Sequence, residues 1–207
     1  MPELQGQTIG GDISSNILGY QHDVQKYGLL YASAQKNIGP AGLTLVIVKE
    51  SLLDKEQDLP SMLDYVKLIK RDSNLNTPPV FPIYAAGLVF QWLKKQGGVK
   101  QMQQQNEAKT ALLYDMLDNS KLFLGTAHAP DRSLTNVPFT TGSKELDEKF
   151  ITQAEKNGLK NIRGHVLAGG MRASMYNAFP FEGVKALVDF MKAFEQKERR
   201  IYATTMQ

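Results

Sequence analysis

The sequence contains no cysteine, one tryptophan and three histidines. Without cysteine, the chain forms neither a disulfide framework nor a thiolate metal site. The histidines, His22, His128 and His165, lie far apart in the sequence and lack the spacing of metal ligands. We therefore expect no metal site and a protein that resides in a reducing compartment.

A charge excess and long apolar runs are also missing. The 24 basic and 21 acidic side chains form no basic block or stripe, so nucleic acid is not indicated as a partner. No apolar run approaches the roughly 18 residues that a membrane span needs. The first residues lack the basic and apolar regions of a secretory signal. These absences lead us to expect a cytoplasmic protein without a membrane partner.

What is present is an alternation of strand and helix patterns, typical of an α/β fold. Two short runs with β-branched or aromatic residues, 28–34 and 43–49, predict buried strands joined by a loop over 35–42. Residues 50–57 predict a helical turn, and residues 61–80 predict irregular chain.

The second half of the chain has mainly helical patterns. An apolar stripe at positions 84, 88, 89 and 92 predicts a helix closed by Gly97 and Gly98. The following elements are a helix over 99–119, a strand over 134–141, a helix over 143–158 capped by Ser143, an extended–turn–extended segment over 165–179, and a helix over 181–200. We place a domain boundary between residues 1–103 and 104–207.

A single lysine, Lys36, stands among small residues in YASAQKNIGPAG, residues 31–42. Residues 32–34 leave room for a bulky group at the end of a strand, and Gly39 and Gly42 allow close approach of the backbone. A lysine in such a place is a candidate for Schiff-base formation, because burial or a cationic neighbour lowers the pKa of its ammonium. The alternative is an ordinary solvated loop lysine.

Asp12 lies 24 positions before Lys36, at the end of a short predicted strand. In pyridoxal-phosphate enzymes an aspartate holds the ring nitrogen protonated, so that the ring accepts electrons. Asp12 and Lys36 together therefore indicate pyridoxal 5'-phosphate as a cofactor. Taken alone, Asp12 is equally consistent with a turn-capping aspartate.

Four motifs of the sequence resemble those of the phosphoserine aminotransferase family. They are DISSN at 12–16, AQKNIGPAGLTLVIV at 34–48, NTPP at 76–79, and a glycine–histidine pair followed by GGMRASMYNA within 164–178. The resemblance implies a fold-type I transferase, in which residues 1–103 are the remainder of the cofactor-binding large domain and residues 104–207 are the small C-terminal domain. It also implies a homodimer that exchanges an amino group between phosphoserine and 2-oxoglutarate in serine biosynthesis.

The resemblance implies a role for five cofactor-binding residues. Lys36 would bind the cofactor aldehyde covalently and then transfer the proton at the substrate Cα. Asp12 would pair with the ring nitrogen, and Gln35 would contact the cofactor phosphate. Asn76 and Thr77 would reach the phosphate held by the neighbouring subunit. By itself, Asn76 before Thr-Pro-Pro is also typical of a plain turn.

Two further residues are implied as substrate ligands. Arg172 would clamp the substrate α-carboxylate with its planar guanidinium. His165 would help to bind the substrate phosphate. Without the motif, Arg172 could equally be a surface arginine and His165 a structural histidine.

The chain departs from the family pattern in two ways. The family has a long N-terminal portion that precedes the Asp12 strand. We expect that its loss would weaken cofactor binding and expose strand edges, leading to self-association, domain swapping or a repaired smaller sheet. Val166 stands where the family typically has an arginine for the substrate phosphate. Either Arg163 or Lys160 replaces that arginine, or phosphate recognition is weaker.

Three functions follow as alternatives. The chain belongs to a phosphoserine aminotransferase, it is a non-catalytic binding or scaffold module, or it belongs to a transaminase of the same fold with a different acid as substrate. Val166 favours the third alternative slightly. Asp12, Lys36 and Arg172 would serve either transaminase equally.

Overall fold

The computed structural model describes residues 6–53 and 58–205, with side chains as far as Ile201. The chain has the mixed α/β architecture predicted from the sequence and divides into two compact units, Met1–Val99 and Lys100–Gln207. The predicted boundary lay at residues 103 and 104. Among the described helices, none combines the length and the apolar character needed to cross a bilayer.

The first unit contains a three-stranded sheet. Its strands are β1, Gly10–Asp12, β2, Leu29–Ser33, and β3, Thr44–Val48. Strand β2 is central, parallel to β1 and antiparallel to β3. The positions of β2 and β3 confirm the two strand predictions.

Strand β3 is not the buried strand that its apolar sequence suggests. Leu30 and Ala32 of the central strand are 1% and 0% exposed, whereas Leu45 and Ile47 of β3 are 40% and 43% exposed. In the part of the chain that the structure describes, β3 is an edge strand paired only with β2, and the side chains of Leu45 and Ile47 are left uncovered. Apolar composition alone could not separate the edge of the sheet from its centre.

Helix α1, Tyr65–Lys70, replaces part of the irregular chain predicted for 61–80. Asp64 starts the helix, because its Oδ1 accepts hydrogen bonds from the backbone amides of Val66, at 2.9 Å, and Lys67, at 3.1 Å. A 3₁₀ turn at Ser61–Leu63 precedes the cap. The overlooked signal was the aspartate directly before a short apolar-periodic run.

Helix α2, Val80–Lys95, begins four residues before the predicted stripe. Its buried residues are Ala86 and Leu93, whereas Tyr84 and Leu88 are 65% and 48% exposed. The predicted stripe was therefore wrong as a description of the packed face. The helix meets the loop that follows Lys36, since a Cβ added at Gly39 would lie 3.4 Å from the Ala86 nitrogen.

Short 3₁₀ turns complete the regular structure. They lie at Val24–Lys26, Glu50–Leu52 and Ala129–Asp131, in addition to the one before α1. The turn at Glu50–Leu52 falls within the helical turn predicted for 50–57. Residues 54–57 lie outside the described residues, so that part of the prediction stays open.

The second unit packs three helices with an antiparallel sheet. The elements are α3, Gly98–Asn119, β4, Leu124–Gly125, β5, Asn136–Thr140, α4, Lys144–Lys156, β6, Met171–Ser174, and α5, Phe181–Thr205. The sheet order is β4-β5-β6. The positions of the three helices and of β5 confirm the predictions. Ser143 caps α4, as predicted, because its hydroxyl accepts a hydrogen bond from the Leu146 amide at 3.4 Å. Strand β4 was not predicted.

The segment before β6 is a turn and not the extended arm predicted at 165–168. The amides of Ala168 and Gly169 both donate to the carbonyl oxygen of His165, at 2.9 and 2.8 Å. Gly170 has a φ of 62°, and a Cβ there would lie 2.7 Å from the Phe139 carbonyl oxygen. The close backbone contact requires glycine and closes the loop just before β6.

Phe150 of α4 lies at the centre of the second unit's core and is fully buried. Ring centroids of four other phenylalanines surround it at 5.0 to 6.1 Å: Phe123, Phe139, Phe190 and Phe194. The five residues predicted to face inward from the last helix are all buried: Val184, Leu187, Val188, Met191 and Phe194.

Replacing Phe150 should destabilise the second unit strongly. Phe150→Ala leaves a cavity among the four rings and should lower the free energy of unfolding by about 3–5 kcal/mol. Phe181→Ala is the matched control, because Phe181 is 44% exposed and should change stability little. Urea unfolding followed by circular dichroism measures both. Equal effects of the two substitutions would contradict this account of the core.

Candidate active site

Asp12 and Lys36 lie at the same end of the first unit's sheet. Asp12 is the last residue of β1, opposite Tyr31 in the parallel pair of β1 and β2. Lys36 follows the end of β2 by three residues. Because parallel strands end at the same edge of a sheet, the pairing places the carboxylate and the amine at one edge.

Lys36 is held in a short turn and not in a strand. The amides of Ile38 and Gly39 donate to the carbonyl oxygen of Ala34, at 3.1 and 2.8 Å, and Ala34 and Ile38 are buried. The side chain of Lys36 is exposed. The burial that would favour Schiff-base formation by Lys36 is therefore not found in the described part of the chain. The amine of Lys36 is accessible to a ligand.

Ser14 anchors the carboxylate of Asp12. Its hydroxyl donates to Oδ1 of Asp12 at 2.6 Å, and its backbone amide donates to the same oxygen at 2.8 Å. The serine is 7% exposed, whereas Asp12 is exposed. The acid is thus fixed from the protein side and open on the solvent side.

Two hydrogen bonds connect the aspartate turn with the strand and loop that carry the lysine. The Ser33 amide donates to the Ser14 hydroxyl at 2.9 Å. Nδ2 of Asn37, the residue after Lys36, donates to the Ile17 carbonyl oxygen at 3.0 Å. Ser14, Ile17 and Asn37 are all at least nine-tenths buried, so the two segments are tied together at their base.

The surroundings of Asp12 favour its ionised form. The hydroxyl and the backbone amide of Ser14 hold the pKa of the Asp12 carboxyl below its usual value, against a smaller opposing effect of desolvation. A hydrogen bond from Tyr31 and the ammonium of Lys36 lower this pKa further. The positive charge of Lys36 thus adds to the effect of Ser14 on the Asp12 carboxyl.

The other predicted cofactor residues are placed as follows. Gln35 is exposed and precedes Lys36 in the same turn. Asn76 and Thr77 are exposed in the segment between α1 and α2, where Nδ2 of Asn76 approaches the Thr77 carbonyl oxygen at 3.4 Å. No hydrogen bond or ion pair joins Asn76 or Thr77 to Lys36 in the described part of the chain. Asp12, Gln35 and Lys36 are therefore the members that one sheet edge brings together.

Arg172 lies in β6 of the second unit and borders a cavity of about 690 Å³. Its backbone amide donates to the Ile162 carbonyl oxygen at 2.8 Å. Within the described residues its guanidinium makes no ion pair or hydrogen bond, although Nε is buried. A buried donor without a partner fits a residue that takes an anionic ligand.

Lys109 of α3 fixes the turn that forms one wall of this cavity. Its Nζ donates to the carbonyl oxygens of Tyr176 and Phe179, both at 3.1 Å. Burial lowers the pKa of its ammonium. Sequence reasoning did not single out Lys109, because a lysine inside a polar helix pattern gives no sign of burial.

His165 lies in the exposed loop before β6. Its Nδ1 accepts from the Leu167 amide at 3.3 Å, so one ring nitrogen serves the loop itself. Val166 and Leu167 are 94% and 91% exposed at the tip of this loop. His165 and Arg172 belong to the second unit, whereas Asp12 and Lys36 belong to the first.

Both cations proposed to replace an arginine at position 166 make hydrogen bonds to other residues. The guanidinium of Arg163 forms a double hydrogen bond with Glu148, one of which measures 2.8 Å, and this pair raises the pKa of Arg163. Nζ of Lys160 donates to the Glu155 carbonyl oxygen at 2.9 Å. The described residues therefore give no support to compensation by either side chain.

Acidification should remove the contribution of Asp12 to stability. Because its pKa is lower in the folded chain, its hydrogen bonds stabilise the fold above the ordinary value of 3.8, and this stabilisation is lost as the pH falls below that value. The difference in unfolding free energy between the native chain and Asp12→Asn should be constant near neutral pH and should shrink below pH 4.

Denaturant unfolding at a series of pH values measures this difference. Asp23→Asn is the control, since Asp23 forms an exposed ion pair with Lys26 and takes no part in the Ser14 contacts. A difference for Asp12→Asn that stays constant down to pH 2.5 would contradict the assignment.

The family model of class-V aminotransferases matches residues 5–187 of this chain. The chain is 56% identical to the phosphoserine aminotransferase of Lactiplantibacillus plantarum over 91% of its own length and 53% of that protein. It is 57% identical to that of Listeria monocytogenes, over 88% of this chain and 50% of that protein. The chain thus spans about half the length of the curated relatives it matches.

Solved structures agree with this result. The phosphoserine aminotransferase from Bacillus circulans subsp. alkalophilus matches with a TM-score of 0.90 and 41% identity, over 95% of this chain and 55% of that one. The pyridoxal-phosphate-bound enzyme from Trichomonas vaginalis matches with a TM-score of 0.86 and 34% identity, over 93% of this chain and 55% of that one. These matches confirm the resemblance inferred from the motifs, and this chain belongs to the class-V aminotransferase family.

Proposed function

We propose that this chain carries the lysine–aspartate part of a phosphoserine aminotransferase site. The reaction converts phosphoserine and 2-oxoglutarate to 3-phosphohydroxypyruvate and glutamate. The observation that carries the proposal is the position of Asp12 and Lys36 at one edge of the sheet, in a chain whose relatives have this name. An aminotransferase requires an amine and an acid of this kind to face one ring.

The residues at this edge fit pyridoxal 5'-phosphate. The cofactor, when bound, supplies an aldehyde and a ring that accepts electrons. Lys36 would hold it through Nζ, and the same nitrogen would move the proton at the substrate Cα. The anchored, ionised carboxylate of Asp12 would keep the proton on the ring nitrogen. Gln35 would contact the cofactor phosphate, and Asn76 and Thr77 would reach the phosphate of the cofactor in the neighbouring subunit.

Arg172 would bind the substrate α-carboxylate. Its guanidinium has no partner within the described residues, and a planar guanidinium binds a carboxylate through two parallel hydrogen bonds. His165 would donate to the substrate phosphate from Nε2, because Nδ1 is engaged by the Leu167 amide.

The proposal includes a homodimer in the cytoplasm. The exposure of Asn76 and Thr77 leaves both side chains available to a second copy. Apolar side chains of α2, among them Phe81 and Tyr84, are 70% and 65% exposed, which favours association.

Covalent capture of the cofactor tests the role of Lys36. Pyridoxal phosphate added to the chain should give a yellow species, and borohydride should fix it to Lys36, as peptide mass mapping would show. Lys36→Ala should abolish the fixed product, because Lys36 is the one amine among the described residues whose charge acts on the Asp12 carboxyl. Lys49→Ala, at an exposed lysine after β3, is the control and should leave the product unchanged.

Absence of the product from the native chain would favour the second candidate function, a non-catalytic binding or scaffold module. Modification spread over many lysines, unchanged in Lys36→Ala, would have the same meaning. Either outcome would contradict the proposed site.

A transaminase with a different acid as substrate is the third candidate, and Val166 is the observation that favours it. The loop tip carries two apolar side chains, and the nearby cations Arg163 and Lys160 are engaged with Glu148 and the Glu155 carbonyl. If the substrate is phosphoserine, its phosphate would rely on His165 without an arginine at 166.

Val166→Arg tests this point. A new charge-assisted hydrogen bond should increase the preference for phosphoserine over serine about tenfold. The preference is measured by the change in cofactor absorbance as each amino acid is titrated. Val166→Gln has a polar side chain without the charge and serves as the control. An unchanged preference in Val166→Arg would show that position 166 does not face the substrate phosphate.

A further inference from the structure

Among the described residues, Ser14 is the one buried hydroxyl in direct contact with the Asp12 carboxylate. It gives two hydrogens to the same oxygen: the hydroxyl reaches Oδ1 at 2.6 Å and the amide reaches it at 2.8 Å. Both contacts approach Oδ1 from the protein side, because Ser14 is 7% exposed. They restrict rotation of the carboxylate and leave its other oxygen to groups on the solvent side.

The same hydroxyl is also tied to the strand that leads to Lys36. Its oxygen accepts from the amide of Ser33, the last residue of β2, at 2.9 Å. One hydroxyl thus donates to the acid at the end of β1 and accepts from the strand that ends three residues before the lysine. Ser15, the next residue, takes no part in these bonds.

We propose that Ser14 is a positioning residue of this site, which holds the Asp12 carboxylate in a single orientation relative to Lys36 so that it can meet a protonated ring nitrogen. This inference rests on the proposed function for the identity of the ring. In this proposal Ser14 forms the turn and also aligns the Asp12 carboxylate with β2, the strand that leads to Lys36.

The charged and titratable groups that face Asp12 set the size of the effect. Besides Ser14, they are the Tyr31 phenol on the neighbouring strand and the Lys36 ammonium. Tyr31 and Lys36 remain in a Ser14 variant, so the carboxylate should stay ionised at neutral pH. Loss of the hydroxyl should therefore release its orientation and leave its charge in place.

The first experiment needs no cofactor. Carbon-detected NMR of the aspartate carboxyl groups follows the titration of Asp12 in the native chain, Ser14→Ala and Ser15→Ala. In Ser14→Ala the pKa of Asp12 should rise toward 3.8, whereas Ser15→Ala should match the native chain. A titration unchanged in Ser14→Ala would overturn the proposal, because the hydroxyl would then not act on the acid.

The second experiment compares two ligands on the same variants. Pyridoxal phosphate has a ring nitrogen, and its 1-deaza analogue has carbon in that position but keeps the aldehyde and phosphate. Ser14→Ala should weaken binding of pyridoxal phosphate about tenfold and should change binding of the analogue little. Equal weakening of both ligands would mean a general structural defect and would overturn the proposal.

Two further variants separate positioning from folding. Ser14→Thr keeps the hydroxyl and should restore the binding of pyridoxal phosphate lost in Ser14→Ala. In an Asp12→Asn background, Ser14→Ala should cause no further loss, because the acid that it orients is absent. Additive losses in the double variant would contradict the proposal.

The NMR titration and the ligand-binding comparison together distinguish failure of this inference from failure of the proposed function. If the native chain binds neither ligand at Lys36, the proposed function fails, while the NMR titration still tests the contact between Ser14 and Asp12. If the native chain binds pyridoxal phosphate and Ser14→Ala behaves like Ser15→Ala, only the role of Ser14 is wrong.

Discussion

The parallel pairing of β1 with β2 is the constraint on which the site depends. It sets Asp12 opposite Tyr31 and brings the carboxyl ends of both strands to one edge. A slip of one residue in this register would turn the side chain of Asp12 to the other face of the sheet. The buried contacts of Ser14 with Ser33 and of Asn37 with Ile17 hold that register next to the lysine.

The second unit contributes a different kind of group, a cation without a partner. Arg172 sits in β6, which is short because Gly170 and the preceding turn end it on one side. Its guanidinium is unpaired among the described residues, whereas the neighbouring Arg163 is neutralised by Glu148. A surface pair such as Arg163 and Glu148 contributes little stability, but it removes Arg163 from ligand binding. The arrangement leaves the Arg172 guanidinium available for an anion.

Much of the fold followed from periodicity. The apolar face of α5 and the strand β5 were predicted because their patterns are long or are bounded by turn residues. Helix α1 was missed because six residues give too short a pattern, and only the cap formed by Asp64 reveals it. The packed face of α2 was predicted wrongly, because its apolar residues surround the helix and do not indicate which side meets the sheet.

The sequence by itself determined the family and the residue types of the site, since the motifs around Lys36 and Arg172 are specific combinations of lysine, arginine, glycine and small residues. It also determined most helices, because their hydrophobic period is local. Only the tertiary structure decided which side chains meet: the edge position of β3, the engagement of Arg163 and the contacts of Ser14 with Asp12 and Ser33. Such contacts join residues that are distant in the chain, and no local pattern encodes the distance between them.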